Sequence, residues 1–173
     1  DTLDPKSLTC SDYSRALNEA VRLTAGKDLL EIGCGTGSFL QFAREKGWKV
    51  SGVDSSPENI EKVNQAGIEG TCSDYVSFSS GRQFDVIVLW DLIEHPQDPV
   101  SFLGKSRELL KKDGLLLIAT PHDPNLLTFL AGTLYRLSGG KVKFAVKQLY
   151  VIEHTSYFSS ETLKSLLEGN RFR

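Results

Sequence analysis

The sequence predicts an α/β fold in which an open, mainly parallel sheet carries helices on both faces. Short apolar runs bounded by turn residues alternate along the chain with stretches of helical periodicity, and this alternation is typical of consecutive β-α-β units. Several of the runs are apolar nearly throughout, as expected of strands that helices cover on both sides. The number of runs predicts five strands.

An amphipathic helix is predicted first, over residues 11–24, because apolar residues recur there at helical spacing and Ser11 is placed to cap the first turn. Further helices are predicted over residues 37–46, 57–66 and 98–111. Proline in the first turn supports two of these helices. The predicted strands span residues 28–32, 49–53, 68–72, 84–90 and 114–120. Residues 73–83 are predicted to be mostly loop.

The bulk composition argues against some partners. The formal net charge is −2 and the pI is near 5.9, so the chain lacks the basic field that attracts a phosphate backbone, and no nucleic-acid partner is expected. Cys10, Cys34 and Cys72 show no C-x-x-C spacing, which favours a reducing, cytoplasmic location over a disulfide framework or a zinc cluster. The sequence predicts no transmembrane segment and no signal peptide.

The turn after the first predicted strand is the most informative segment. It places Gly33, Gly35 and Gly37 between a strand and a helix, and such glycines allow a tight turn and the close approach of a ligand to the backbone. Ligands of open α/β sheets bind at the carboxyl ends of the strands, so the turn predicts a ligand site. A turn that needs glycine only for its backbone angles is the alternative.

Two carboxylates narrow the class of ligand. Asp54 ends the second predicted strand, about 20 residues after the turn, where a carboxylate accepts hydrogen bonds from ribose hydroxyls. Glu31 lies at the mouth of the turn, where it would repel a pyrophosphate and suit a cation. S-adenosylmethionine fits, because its sulfonium and ammonium are positive and it carries no phosphate. An NAD-dependent oxidoreductase is less favoured, since its fingerprint would place the third glycine one residue after Gly37.

Residues 29–40 (LLEIGCGTGSFL) and 50–63 (VSGVDSSPENIEKV) resemble the first two motifs of class I S-adenosylmethionine-dependent methyltransferases. The later segments that agree with this family span residues 70–75, 84–103 and 108–122. The resemblance implies a Rossmann-like class I methyltransferase fold and S-adenosylmethionine as cofactor. Residues 153–163 resemble the segment before the last helix of a bacterial subgroup that acts on small-molecule or lipid-linked acceptors, similar to the ubiquinone-biosynthesis O-methyltransferases.

The resemblance also implies which residues bind the cofactor. Asp74 occupies the position of the aspartate that contacts the adenine amino group in the family. Cys34 is expected to be a spacer, because methyl transfer is an in-line displacement that depends on alignment rather than on a covalent nucleophile. The cofactor-binding residues implied in this way are Glu31, Gly33, Cys34, Gly35, Gly37, Asp54, Ser55, Asp74, Tyr75 and Trp90.

We expect a single methyltransferase domain over residues 1–173. Its predicted parts are a cofactor-binding core (11–122), a lid or acceptor region (123–155) and the last helix (156–173). The family fold continues with two further strands after a segment like the end of this chain, so we expect them to be missing here. The lid region holds apolar residues with basic residues nearby, which suits an amphiphilic or anionic acceptor. An amphipathic helix that packs on the sheet or on a second subunit is equally compatible.

A hydroxyl acceptor must lose a proton, and His95, His122 and His154 are the candidate bases, with a packed or capping histidine as the alternative for each. The favoured catalytic residues are His154, His95 and Asp91. The sequence DLIEH that begins at Asp91 resembles the E-x-x-E-H motif of metal-assisted O-methyltransferases, so Asp91, Glu94, His95 and His154 form an alternative divalent-metal site. The favoured interpretation needs no metal and assigns Asp91 and Glu94 to shaping the methionine end of the cofactor pocket or capping the next helix.

These observations predict an enzyme that transfers a methyl group from S-adenosylmethionine to a small-molecule or lipid- or sugar-linked acceptor, with oxygen as the expected acceptor atom. A non-catalytic S-adenosylmethionine-binding module is the first alternative, and an NAD-dependent oxidoreductase is the second. The sequence is compatible with a homodimer.

Overall fold

The structure, a computed structural model, describes residues 10–121, 133–139, 141 and 156–173. The five described strands form one sheet in the order β3-β2-β1-β4-β5, in which β1 is parallel to both β2 and β4. The strands are β1 (Asp28–Ile32), β2 (Lys49–Asp54), β3 (Glu69–Cys72), β4 (Phe84–Trp90) and β5 (Leu110–Ala119). The helices are α1 (Cys10–Leu23), α2 (Ser38–Glu45), α3 (Pro57–Gln65), α4 (Pro99–Leu109) and α5 (Ser160–Gly169), and residues 133–137 form a short helical segment. The predicted α/β class is confirmed.

Most element boundaries lie within two residues of the prediction. β1 and β4 have the predicted bounds, and residues 73–83 form turns and bends, as predicted. α1 begins one residue before Ser11, so Ser11 lies in the first turn of the helix rather than before it. Ser56 caps α3 by accepting a hydrogen bond from the amide of Asn59 at 3.3 Å, and Pro57 follows it at the first helical position.

The predicted start of the last strand was wrong. β5 begins at Leu110, directly after α4, and not at Gly114. The prediction required an apolar run, whereas three charged residues follow Leu110 at the start of the strand. Lys111 pairs with Asp85 of β4 at 3.0 Å, and Asp113 adopts a left-handed φ of 62° inside the strand. Pairing across the sheet therefore extends the strand where its own sequence is polar.

The main hydrophobic core lies between the sheet and helices α1 to α3. Gly52 of β2 is necessary for this packing, because a Cβ at that position would lie 2.6 Å from Cys34 Sγ and 2.7 Å from Leu40 Cδ1. Real Cβ atoms essentially never approach another atom this closely. The turn after β1 and helix α2 can therefore approach β2 only where the strand has no side chain.

The chain divides into two compact units. The first comprises Asp1–Trp90 with Lys105–Ile118, and the second comprises Asp91–Gly104 with Ala119–Arg173. The predicted division into a core, a lid and a last helix stays a prediction, because most of the lid lies outside the described residues. Among the helices that the structure describes, none is both long and apolar enough to cross a membrane.

Gly52→Ala is expected to lower the free energy of unfolding by about 1–3 kcal/mol, because the added methyl group overpacks the contact with Cys34 and Leu40. Gly104→Ala is the matched control. It lies within α4 with open space around its Cα, so alanine should raise the free energy of unfolding by up to about 1 kcal/mol. Urea unfolding of both variants measures the difference. Equal stabilities would contradict the packing argument.

Candidate functional site

The strand order identifies one end of the sheet as the place for a ligand. The chain moves from β1 to β2 and β3 on one side and then to β4 and β5 on the other, so the order reverses between β1 and β4. In open α/β sheets, ligands bind in the crevice outside the carboxyl ends of the strands at this reversal. Ile32 at the end of β1 pairs with Leu89 near the end of β4. Glu31, the glycine turn and Trp90 therefore lie at the predicted crevice.

All three glycines of the turn adopt left-handed backbone angles. Their φ values are 68° for Gly33, 51° for Gly35 and 80° for Gly37, a region that side chains with a Cβ rarely occupy. The amides of Gly33 and Cys34 both donate to the carbonyl of Val53, at 2.8 and 3.1 Å. The turn is thus fixed to the end of β2, and it leads directly into α2, whose N-terminal end faces the same edge of the sheet.

Asp54 ties the turn to the start of the next helix. Its Oδ2 accepts a hydrogen bond from the amide of Gly35 at 2.8 Å, and its Oδ1 accepts from the amide of Ser56 at 2.8 Å and from Asn59 Nδ2 at 3.2 Å. A carboxylate offers about four acceptor sites, so capacity remains for a ligand hydroxyl. Ser55 is exposed beside it. Sequence reasoning missed Asn59, which lies in the first turn of α3.

Glu31 is a buried carboxyl with an unused acceptor atom. The residue is 4% exposed, and its Oε2 accepts no hydrogen bond from any described residue. Burial raises the pKa of Glu31 well above its ordinary value of 4.5, and the nearby carboxylate of Asp54 raises it further. A buried acceptor without a donor is costly. A ligand that brings positively charged N–H groups would supply the donors that the protein lacks.

Cys34 supports the turn by packing. Its side chain is 5% exposed and lies against Gly52. Burial raises the pKa of the Cys34 thiol to about 12, and the carboxyl groups of Glu31 and Asp54 contribute to the increase. The thiolate is the nucleophilic form, so the raised pKa agrees with the expectation that Cys34 is a spacer.

Trp90 closes the β4 side of the crevice with an aromatic cluster. Its ring meets Phe39 of α2 edge-on at a centroid distance of 5.1 Å and Tyr13 of α1 at 5.7 Å, and those two rings lie 5.0 Å apart. Tyr13 also contacts Phe42. The indole Nε1 is buried and donates to no acceptor in the part of the chain that the structure describes. The cluster fixes the ring and leaves a donor at the end of β4.

Asp74 and Tyr75 shape the turn that follows β3. Asp74 is exposed, and its Oδ1 accepts hydrogen bonds from the amides of Val76 at 3.0 Å and Ser77 at 3.3 Å. The Tyr75 ring is buried, its hydroxyl donates to Ser106 Oγ at 3.0 Å, and burial raises the pKa of that hydroxyl. The Tyr75 side chain therefore anchors the loop to α4, and the exposed face of this turn is formed by Asp74 and the backbone beside it.

Three of the residues assigned to catalysis or metal binding lie in the second unit. Asp91 is exposed and adopts a φ of 43°, a left-handed angle that is uncommon outside glycine and clusters at functional sites. The buried carboxylate of Glu94 accepts from Thr120 Oγ1 at 2.9 Å, a partner that sequence reasoning missed. His95 is partly buried, and its amide donates to the carbonyl of Leu92 at 3.0 Å.

The proposed metal ligands do not converge among the residues that are described. Within the described ranges, no group of three histidine, cysteine, aspartate or glutamate side chains could hold a metal ion. His154 and His122 lie outside the described residues. The metal-binding alternative, which needs His154, therefore stays a prediction.

Glu31→Gln is expected to stabilise the ligand-free protein at pH 7.5 by more than about 1 kcal/mol. Because the folded-state pKa is raised, the folded chain binds more protons than the unfolded chain above pH 4.5, so the contribution of Glu31 to stability falls as the pH rises towards the folded-state pKa. The advantage of the variant should grow from pH 5 to pH 7.5 in urea unfolding. Glu45→Gln, at an exposed glutamate of α2, is the control. A pH-independent difference would contradict the burial argument.

The model of a family described as a methyltransferase domain matches residues 8–173 of the chain. A ubiquinone biosynthesis O-methyltransferase of Cereibacter sphaeroides is 35% identical over 102 residues, which cover 55% of this chain and 41% of that protein. The chain thus spans less than half the length of this curated relative.

Two solved structures share the fold. A SAM-dependent methyltransferase from Archaeoglobus fulgidus has a TM-score of 0.69 at 22% identity, and the matched part covers 93% of this chain and 67% of that protein chain. A plantazolicin methyltransferase in complex with SAH has a TM-score of 0.66 at 20% identity, and the matched part covers 91% of this chain and 63% of that protein chain. These likenesses confirm the Rossmann-like class I methyltransferase fold, and together with the match over residues 8–173 they show that the chain belongs to the methyltransferase domain family.

Proposed function

We propose that this chain binds S-adenosylmethionine at the glycine turn and transfers its methyl group to an oxygen atom of a small-molecule acceptor. The observation that carries the proposal is the buried Glu31 carboxyl, whose Oε2 has no donor among the described residues, directly beside three left-handed glycines. The membership of the methyltransferase domain family supports the reaction class. The complex of a plantazolicin methyltransferase with SAH supports the cofactor.

The described residues fit the parts of this cofactor. Asp54 retains acceptor capacity for a ribose hydroxyl, next to the bare backbone of Gly35. Asp74 offers Oδ2, which accepts no hydrogen bond from the described chain, to the adenine amino group. Glu31 is placed for the ammonium group. When bound, S-adenosylmethionine supplies the methyl group and a positively charged sulfonium leaving group, and the residues of this chain hold it in line with the acceptor.

The acceptor oxygen must lose its proton, and we assign this step to His95 or His154, with Asp91 as a further catalytic residue. The left-handed angle of Asp91 supports its place in the site. The O-methyltransferase relatives of ubiquinone biosynthesis support oxygen as the acceptor atom. The proposed site needs no metal, and a divalent ion at Asp91, Glu94, His95 and His154 is kept as a separate alternative.

We also propose that the acceptor is amphiphilic and linked to a lipid or a sugar. Within the predicted lid region, Leu134 and Leu137 are 49% and 81% exposed, and the basic Arg136 and Lys141 are also exposed. This combination suits a ligand with apolar and anionic parts. A homodimer and a cytoplasmic location are further proposals, drawn from the sequence.

Calorimetric titration tests cofactor binding. S-adenosylhomocysteine is expected to bind with micromolar affinity, and Asp54→Ala should weaken it by at least about tenfold, because hydrogen bonds to a charged group are lost. Asp54→Asn is the conservative control that keeps one acceptor for the loop amides, and circular dichroism reports whether both variants are folded. Binding of NAD in place of S-adenosylhomocysteine would overturn the proposal.

Turnover tests catalysis. His95→Ala and His154→Ala should be assayed with radiolabelled S-adenosylmethionine and a panel of phenolic and sugar acceptors. Loss of the base is expected to lower kcat by about 100-fold or more without a matching change in the KM for S-adenosylmethionine. Loss of activity in a chelator, with recovery on adding a divalent ion, would replace the metal-free site with the metal-assisted one. Cofactor binding without turnover on any acceptor would support a non-catalytic binding module.

A further inference from the structure

Two buried polar atoms of opposite chemistry lie towards the carboxyl end of the sheet, where the cofactor site is proposed. Glu31 Oε2 is an acceptor and Trp90 Nε1 is a donor, and neither has a hydrogen-bond partner among the described residues. Glu31 pairs in register with Val88, two residues before Trp90. Paired residues of parallel strands, and residues two apart on one strand, project from the same face of the sheet. Glu31 and Trp90 are therefore neighbours on one face, at its carboxyl edge.

The shared face is the one covered by α1 and α2. Leu29 and Val88 both belong to the core cluster on that face, and the Trp90 ring contacts Tyr13 of α1 and Phe39 of α2. Phe39 lies two residues after Gly37, so the same first turn of α2 that follows the glycines also supports the indole. The helix that follows the glycine turn therefore supports the Trp90 ring.

Aromatic packing explains why an aromatic ring occupies position 90, but it does not explain why that ring carries a buried N–H group. The edge-on contact with Phe39 and the tilted contact with Tyr13 need only an aromatic ring. A buried N–H that has lost its water without gaining an acceptor costs free energy, and Trp N–H groups usually find a partner when buried. The aromatic contacts hold the N–H in one direction, which lowers the entropy cost of binding an acceptor there.

We propose that Glu31 and Trp90 together bind the α-amino-acid end of S-adenosylmethionine, with the Glu31 carboxylate accepting from the ammonium group and the Trp90 N–H donating to the carboxylate. An α-amino acid carries a cationic donor and an anionic acceptor on the same carbon, which matches one acceptor and one donor on neighbouring strands. This inference rests on the proposed function and extends it, because it assigns the recognition of the cofactor carboxylate to an indole.

The proposal predicts how affinity depends on each part of the ligand. Three probes separate the parts: S-adenosylhomocysteine, its decarboxylated analogue, which keeps the amine, and 5′-methylthioadenosine, which lacks both groups. Trp90→Phe keeps the aromatic contacts and should weaken the binding of S-adenosylhomocysteine by about tenfold or more. The affinities of the other two probes should change by less than about twofold. Glu31→Gln should weaken the binding of both amine-bearing ligands and leave the affinity for 5′-methylthioadenosine unchanged.

Trp48→Phe provides the matched control. Trp48 is the second tryptophan of the chain and is buried in the core at 4% exposure, before β2 begins, so its replacement should leave all three affinities unchanged. It also makes Trp90 the only tryptophan, and binding of S-adenosylhomocysteine to this variant should change the indole fluorescence. Calorimetry and fluorescence titration are both read at pH 7.5.

The outcomes are distinguishable. An equal weakening of all three ligands by Trp90→Phe would show that the indole acts only by packing and would overturn the inference, as would no effect on any ligand. An equal weakening of the two amine-bearing ligands would show that Trp90 acts through Glu31 and not on the carboxylate, which also overturns it. Failure of the unmodified chain to bind S-adenosylhomocysteine would overturn the proposed function itself.

Discussion

The attachment of the glycine turn to the end of β2 is the constraint on which the rest of this site depends. Two successive amides of the turn donate to the carbonyl of Val53, and a third donates to the carboxylate of Asp54. The turn can reach these acceptors only because its glycines adopt left-handed angles and because Gly52 leaves room for Cys34. One backbone arrangement therefore sets the entry of α2, the orientation of Asp54 and the position of Glu31.

The site keeps buried polar groups that the fold alone does not need. A carboxyl group at 4% exposure and a buried indole N–H both lower the stability of the ligand-free chain. Binding sites commonly hold such groups in place before the ligand arrives, because a ligand then gains fixed partners without reorganising the protein. The raised pKa of Glu31 has the same origin. In the proposed site, the stability of the chain and the binding of the cofactor favour different residues at this position.

The loop between β3 and β4 is held by side chains in place of a helix. Tyr75 bonds to Ser106 near one end of the loop. Near the other end, Arg82 donates to Ser51 and Glu69, both at 2.6 Å, and its guanidinium lies over the ring of Phe84. A loop without backbone ladders needs such anchors to keep one conformation. The anchors fix the position of Asp74 at the edge of the candidate site.

The sequence by itself determined the elements whose signals are local. The three glycines of the turn, the apolar runs of β1 and β4 and the polar stretch 73–83 were all predictable, because backbone angles and hydrophobic periodicity depend on neighbouring residues. The spacing of Asp54 after the turn predicted it as a site residue, and the resemblance of these segments to a known family extended the prediction to Asp74.

Only the tertiary structure decided contacts between residues that are distant in the chain. It turned the Tyr75 hydroxyl towards Ser106, added Asn59 to the partners of Asp54, and began β5 four residues before its apolar run, where Lys111 reaches Asp85. It also left Trp90 Nε1 buried and without a partner among the described residues. The physical reason is that such hydrogen bonds and burials depend on which strands become neighbours, and no local pattern encodes that choice.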